Sequence, residues 1–331
     1  MSSDNDTNKY VEKNRSRYRT YSQFLKSKYG QKVYKIPINL PGTCPNRDGT
    51  LGEEGCVFCD EAGSGFDCLP NFMAIKDQVA KNKDFFAQRF KAKKFIVYFQ
   101  AFSNTYWPIE QFREFLESAA TAEDLVGISV STRPDCISDE YLDVLQEIRD
   151  NYSLDIDVEL GLQTVNYKTL KFINRGHTLA EFIDATNRIK ARGFSTCIHL
   201  ILNLPGDEME DVIESAKIIS ALKSDQVKIH SLYVVSGTKL GEMYQQREFE
   251  VISLEEYVDR VVTFLEYISS DMVVQRLVGK GPQDKILFNN WDRSWWYLKE
   301  RIEQELVDRD TYQGAKCDYL NGKAVRENLE Q

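Results

Sequence analysis

A chain of 331 residues, 42% hydrophobic and 28% charged, with 18 glycines and 8 prolines, suits two domains or one α/β barrel with extensions. Aromatics at 12% exclude disorder over most of the length, and no apolar run approaches the roughly 18 residues of a membrane span. The net charge of −9 argues against a protein that coats long nucleic acid, and the polar residues 1–10 carry no secretory signal. A cytoplasmic location is therefore expected, with the seven cysteines as reduced thiols or metal ligands.

The first segment, 1–30, is basic and aromatic and is expected to hold a basic N-terminal helix. Lys9, Lys13, Arg15, Arg17, Arg19, Lys26, Lys28, Lys32 and Lys35 face a single acid, Glu12. Tyr10, Tyr18, Tyr21, Phe24, Tyr29 and Tyr34 are interleaved with them. Such a stretch is either an RNA grip, its rings stacking on splayed bases, or an amphipathic helix whose rings pack on the domain. A second basic run spans 81–94.

Short β-branched runs predict strands at 33–39, 95–100, 126–131, 156–162, 195–202 and 227–234. Helical spacing predicts helices at 74–90, 109–120 after Pro108, 139–149 behind a Ser138 cap, 179–192 and 208–222. Thr178 and Glu181 have capping-box spacing, and Gly193 ends that helix. Six such units across 31–252 give an α/β fold of parallel strands, a partial (β/α)6 TIM-like barrel. A doubly wound sheet has the same periodicity. Beyond 253 the pattern changes to a helix at 254–269, a strand at 272–278 and a Trp-rich helix at 291–307. This is an α/β C-terminal extension, 253–331, packed on the barrel.

The loop after the first strand carries Cys44, Cys56 and Cys59, spaced C-x11-C-x2-C, among several glycines. Loops at the C-terminal ends of strands hold the chemistry of α/β proteins. Three thiolates suit an iron–sulfur cluster with one iron left open. Cys68 could instead complete a four-thiolate zinc site, although structural zinc usually takes two close pairs. Unrelated buried thiols are the third possibility. Cys136, Cys197 and Cys317 are isolated and are expected to pack.

With Phe58 directly before the third cysteine, the cluster resembles the signature of radical S-adenosylmethionine (SAM) enzymes. Its eleven-residue first gap departs from the common three and resembles the Elongator catalytic subunit and its bacterial relatives. Further matches run in order: Ser131-Thr-Arg-Pro-Asp135, Leu160-Gly-Leu-Gln163, Asn174-Arg-Gly-His-Thr178, Leu202-Asn-Leu-Pro-Gly206, Gly237-Thr-Lys-Leu240 and Asp310-Thr-Tyr-Gln-Gly314. Together they resemble the YhcC/YtqA-type family over nearly the whole chain.

The resemblance implies a [4Fe–4S] cluster on Cys44, Cys56 and Cys59, with SAM on the fourth iron. One-electron reduction would then release a 5′-deoxyadenosyl radical. Gln100 and Asn104 stand where relatives carry a glycine-rich segment for the SAM amino group; that glycine pair is missing here. Arg133 and Arg175 are candidates for the SAM carboxylate, Thr132 for ribose or carboxylate and Gln163 for the ribose hydroxyls. Arg133 could equally pair with Asp135 or Asp139. The segment 202–206 would cradle adenine with its backbone. His177 and His230 are candidate catalytic residues, each equally readable as a buried structural histidine.

The resemblance also implies work on tRNA, at the C5 side chain of wobble uridine, with an electron-donor protein of flavodoxin or ferredoxin type and no membrane. The residues after 253 are too few for the acetyltransferase domain of the Elongator subunit, so rearrangement or trimming of an existing side chain is expected. Two alternatives stand beside it: a radical SAM enzyme on a small molecule or tetrapyrrole, and a zinc-stabilised, non-enzymatic RNA-binding protein. The sequence is silent on oligomeric state.

Overall fold

The computed structural model describes residues 16–60, 63, 68–282 and 284–325. One sheet holds β1 (Val33–Asn39), β2 (Lys94–Gln100), β3 (Leu125–Thr132), β4 (Asp155–Gln163), β5 (Ser195–Ile201), β6 (Gln226–His230) and β8 (Val273–Arg276), all parallel and in that order. The six βα units are present, and the strand expected at 272–278 adds a seventh to the same sheet.

Alternation along each strand separates two environments. One face carries Ile36, Ile38, Val97, Phe99, Ile128, Val130, Val158, Leu160, Ile198, Leu200, Val227 and Ile229, all essentially buried. They meet the apolar stripes of α2 (Ile75–Phe90), α3 (Ile109–Ala120), α4 (Asp139–Tyr152), α6 (Leu179–Ala191), α7 (Met209–Ala221), α9 (Leu254–Tyr267) and α10 (Trp295–Asp308). Each such side chain stabilises the fold by about 1.5–3 kcal/mol. Thr178 and Glu181 form the expected capping box on α6. Ser138 stands at the start of α4, but its hydroxyl donates to the Glu140 carboxylate and accepts no backbone N–H as a cap would.

The other face is polar. Lys35, Tyr98, Ser129, Asp157, Glu159, His199, Gln226, Lys228 and Gln275 come from all seven strands and bond to one another. Lys35 Nζ of β1 lies 3.5 Å from Gln275 Oε1 of β8. The two edge strands therefore face each other across a lumen, and the sheet is curled into a half-barrel.

Helix α1 (Tyr21–Tyr29) closes the end of the lumen where the strands begin. The Arg19 carbonyl accepts from Val274 of β8 at 2.9 Å, and Tyr29 bonds Asp155 at the start of β4. The Tyr21 ring lies 5.3 Å from Lys35 Nζ, while Leu25, Phe24 and Tyr29 pack on Val33 and Ile96. Tyr18 bonds Glu303, and Tyr34 packs on Phe86 and Phe90. The described rings of the basic segment are thus engaged in packing, at the far end from the strand C-termini. Lys9, Tyr10, Glu12, Lys13 and Arg15 lie outside the described residues.

The single strand expected at 227–234 is two. β6 ends at His230, and β7 (Tyr233–Val235) leaves the sheet to pair antiparallel with β9 (Ile286–Asn289). The break is held by Asn203, whose side-chain oxygen accepts from the Leu232 N–H at 2.7 Å, and by Ser231, bonded to Asn290. Two short helices, α5 (Tyr167–Phe172) and α8 (Lys239–Gln245), also lie at the C-terminal face. Both are too short to give a readable helical period.

Candidate active site

The C-terminal ends of the strands open into a cleft lined by Cys44, Cys56 and Cys59 together with residues from β3 to β7. The cysteine loop is tied down from both sides. Val57 N–H donates to the Ile173 carbonyl at the end of α5, and Leu240 N–H at the start of α8 donates to the Val57 carbonyl. Asn46 and Asn174 bond each other's strands of the loop, to the Asn174 and Gly55 carbonyls at 2.5 and 2.7 Å. Cys59 N–H closes a turn on the Cys56 carbonyl at 2.9 Å. Motifs more than a hundred residues apart are thereby brought to one point.

Each of the three thiols has its own arginine. Arg133 Nη1 lies 3.8 Å from Cys44 Sγ, Arg175 Nη1 3.5 Å from Cys56 Sγ, and Arg47 Nη1 3.5 Å from Cys59 Sγ. Arg133 is itself oriented by a two-point pair with Asp135, at 2.9 and 2.6 Å. That pairing holds Asp135 below the usual carboxylate range, although burial works the other way. Arg175 gives two N–H groups to the Gly161 carbonyl, at 3.3 and 2.7 Å. A Cβ on residue 161 would lie 2.6 Å from Arg175 Nη2, so only glycine admits this approach. Burial and the neighbouring Cys56 push Cys59 up to about 11, against the pull of Arg47.

The other expected residues divide. Thr132 and Gln163 line the cleft; Thr132 shares a 2.6 Å hydroxyl contact with Thr105. Gln163 ends β4 in the left-handed region, φ 76°, which turns its side chain off the strand. Gln100 lies at the rim with its amide on Cys68 Sγ, and neither lines the cleft. Asn104 is buried, its amide donating to the Phe99, Ala101 and Ser131 carbonyls, so it holds the β2–α3 turn and stands outside the cleft lining. Of 202–206, Asn203 supports Leu232, and its Nδ2 is a buried donor without a partner.

The histidines also separate. His177 lies between the Gly161 and Thr178 carbonyls, each at 3.2 Å, and outside the cleft lining. Burial, then Arg175, lowers it to about 3. His230 lines the cleft and accepts from Arg276 Nη2 at 2.8 Å. Burial and the Arg276 charge keep it neutral, well below its usual value.

Sequence reasoning missed His199, Arg47 and the lumen charges. His199 lines the cleft, its ring 5.2 Å from that of His230, and bonds Glu159 at 2.5 Å. Glu159 is fully buried, with Lys35, Lys228 and Ser129 as its other partners. Burial opposes its charge, but Lys228, Lys35 and His199 outweigh it and hold Glu159 well below the usual range. The available signal was polar residues at alternate positions of apolar strands: Asp157 and Glu159, Cys197 and His199, Lys228 and His230.

Residues 38–219 of the chain match the Radical SAM superfamily and residues 224–308 the Radical_SAM C-terminal domain. The protein YtqA of Bacillus subtilis is 37% identical over 305 residues, covering 90% of this chain and 92% of YtqA. Protein YhcC of Escherichia coli is 32% identical over 272 residues, 82% of this chain and 86% of YhcC. A tRNA uridine(34) acetyltransferase of Methanocaldococcus jannaschii is 32% identical over 137 residues, 40% of this chain and 24% of that protein. Among solved structures, Elp3 of Methanocaldococcus infernus with an N-terminal deletion superposes with a TM-score of 0.64 at 19% identity, covering 85% of this chain and 64% of that one. No described helix is long and apolar enough to cross a membrane. With the family matched over more than half its length, the chain belongs to the Radical SAM superfamily, whose enzymes use a [4Fe–4S] cluster and SAM.

Proposed function

We propose that Cys44, Cys56 and Cys59 hold the [4Fe–4S] cluster and that the enzyme remodels the C5 side chain of a tRNA wobble uridine in the cytoplasm. The observation that carries the metal part is three thiols on one cleft, each faced by an arginine. Cys68 contacts Gln100 and does not line the cleft, which leaves three thiols there, the number that suits a cluster with one open iron and falls short of a four-thiolate zinc site. The cluster and SAM together supply the radical that abstracts hydrogen from substrate.

The chain's own residues do the rest. Arg47, Arg133 and Arg175 place N–H donors and positive charge beside the three sulfurs, favouring bound thiolate. Gln163 and the unpartnered Asn203 amide offer hydrogen bonds at the strand ends, where the ribose and adenine of SAM would lie. Leu232, Ile201 and Phe58 supply an apolar wall that keeps water from the reacting atoms. The neutral His230 and His199 rings face the substrate side without adding charge. The tRNA part rests on the archaeal relative named for uridine(34) and on the shared Elp3 fold.

The test is anaerobic iron and sulfide reconstitution, then SAM and a flavodoxin- or ferredoxin-type reductant, with 5′-deoxyadenosine assayed with and without bulk tRNA. Formation stimulated by tRNA is the expected result. Formation indifferent to tRNA would keep the radical chemistry and move the substrate to a small molecule. Failure to take up iron would overturn the cysteine assignment.

A further inference from the structure

Around the cleft mouth, a small apolar cluster joins Leu170 and Ile173 of α5 and its end, Leu240 of α8, Val234 of β7, and Leu287 and Phe288 of β9. This cluster fixes two outward faces beside the opening. On α5, Tyr167 is 63% exposed, and Lys168, Lys171 and Phe172 are exposed with it. No acidic residue lies between Glu159 and Glu181 in the sequence; Asp211, bonded to the cap residue Asn166 at 3.0 Å, is the acid that reaches this helix from α7. Beyond β9, Trp295 and Trp296 open α10 with their ring centres 3.9 Å apart and nearly parallel, Trp296 being 56% exposed. Exposed Arg293 lies 5.5 Å from the Tyr297 ring centre.

The placement relative to the cleft follows from chain length. Asn290 is bonded to Ser231, a cleft residue. Trp295 is five residues on, hence at most about 18 Å away. That is about five stacked nucleotides at roughly 3.4 Å each. Exposed aromatics gathered in a contiguous patch indicate a binding surface. Here the exposed apolar residues of both faces are all aromatic; Lys168 and Lys171 accompany those on α5, while Arg293 and Asp292 both stand beside the tryptophans. A protein interface core is also rich in aromatics and arginine but sheds lysine, and Lys168 and Lys171 flank the α5 rings. Rings with a basic border are what single-stranded nucleic acid requires, since every base has a face to stack and every phosphate a charge.

Resting on the tRNA reading above, we infer that the Trp295–Trp296 pair and the Tyr167–Phe172 face form the platform on which unpaired nucleotides beside the target base stack. This places the RNA grip at the cleft mouth, opposite the packed N-terminal helix.

The experiment measures binding of an unmodified anticodon stem-loop transcript to the full-length protein by tryptophan quenching and by filter retention. Wild-type protein is expected to bind the loop better than a blunt RNA duplex. The W295A/W296A variant should bind about 5- to 150-fold more weakly per base stacked, and W295F/W296F should recover most of that. K168Q/K171Q should lower the slope of log affinity against log salt by about two. K91Q/K93Q, at the opposite end of the sheet, should leave affinity unchanged. Intact loop binding by W295A/W296A overturns the platform and leaves the tRNA reading standing. No loop binding by wild type overturns both. A concentration-dependent dimer lost in W295A/W296A, with RNA affinity intact, assigns the face to a second copy and overturns the inference.

Discussion

Replacing Glu159 by glutamine tests whether the lumen charges are as tightly coupled as their geometry requires. The carboxylate is fully buried and receives Lys35, Lys228, His199 and Ser129 at 2.5–2.9 Å. Glutamine keeps the shape but turns one acceptor into a donor, aimed at ammonium groups that can only donate. Lys35 retains Asp157, at 3.2 Å, while Lys228 keeps only the Tyr98 hydroxyl and ring. Removing one partner of a buried ion pair costs about 3–5 kcal/mol. Unfolding entropy of about 2.1 cal/mol/K per residue gives about 0.7 kcal/mol/K for this chain, so the midpoint should fall by about 4–7 °C. Calorimetry of the protein at pH 7.5 reads this directly. Adding Lys228→Met to Glu159→Gln should restore part of the loss, since the pair then leaves together. A midpoint within about 1 °C of wild type would show the lumen to be wet and screened, and the reasoning would fail.

Three further outcomes follow from the same geometry. Cys44→Ala, Cys56→Ala or Cys59→Ala should each abolish bound iron and the cluster absorbance after reconstitution, whereas Cys68→Ala should retain both; equal losses in all four would refute the assignment. His199, lowered to about 4, and His177, lowered to about 3, both bind protons more readily when unfolded. Stability should therefore drop as pH falls from about 6.5 towards 4, by up to about 1.4 kcal/mol per pH unit for each histidine, read as urea midpoints; a flat profile would contradict the burial of both rings. A Cβ on Gly241 would lie 2.2 Å from the Val235 carbonyl, so Gly241→Ala must shift α8. Because Leu240 holds Val57, that variant should lose about 1–3 kcal/mol and also bind less iron, while Thr20→Ala, which uncaps α1 at the opposite end of the sheet, should lose about 1 kcal/mol and keep its iron.

Strand and helix periods were legible in the chain because alternation and the 3.6-residue period are local. The ends of β1, α3 and α6 agree with expectation to within a residue, since Pro108, Thr178 and Gly193 act on their own neighbours. The cysteine loop was legible too, because three thiols within sixteen residues leave few alternatives. What the sequence could not determine was which polar residues meet. His199 and Glu159 are forty positions apart, and only curling of the sheet brings them to 2.5 Å. Asn104 and Gln163 follow similar strands, yet one is consumed by three backbone carbonyls and the other turns into the cleft. Nothing in either neighbourhood announces the difference. The split of 227–234 has the same origin: an asparagine in the turn after β5 takes the N–H that would have continued the ladder. Local periodicity determined the units, and closure of the half-barrel decided which side chains became a site.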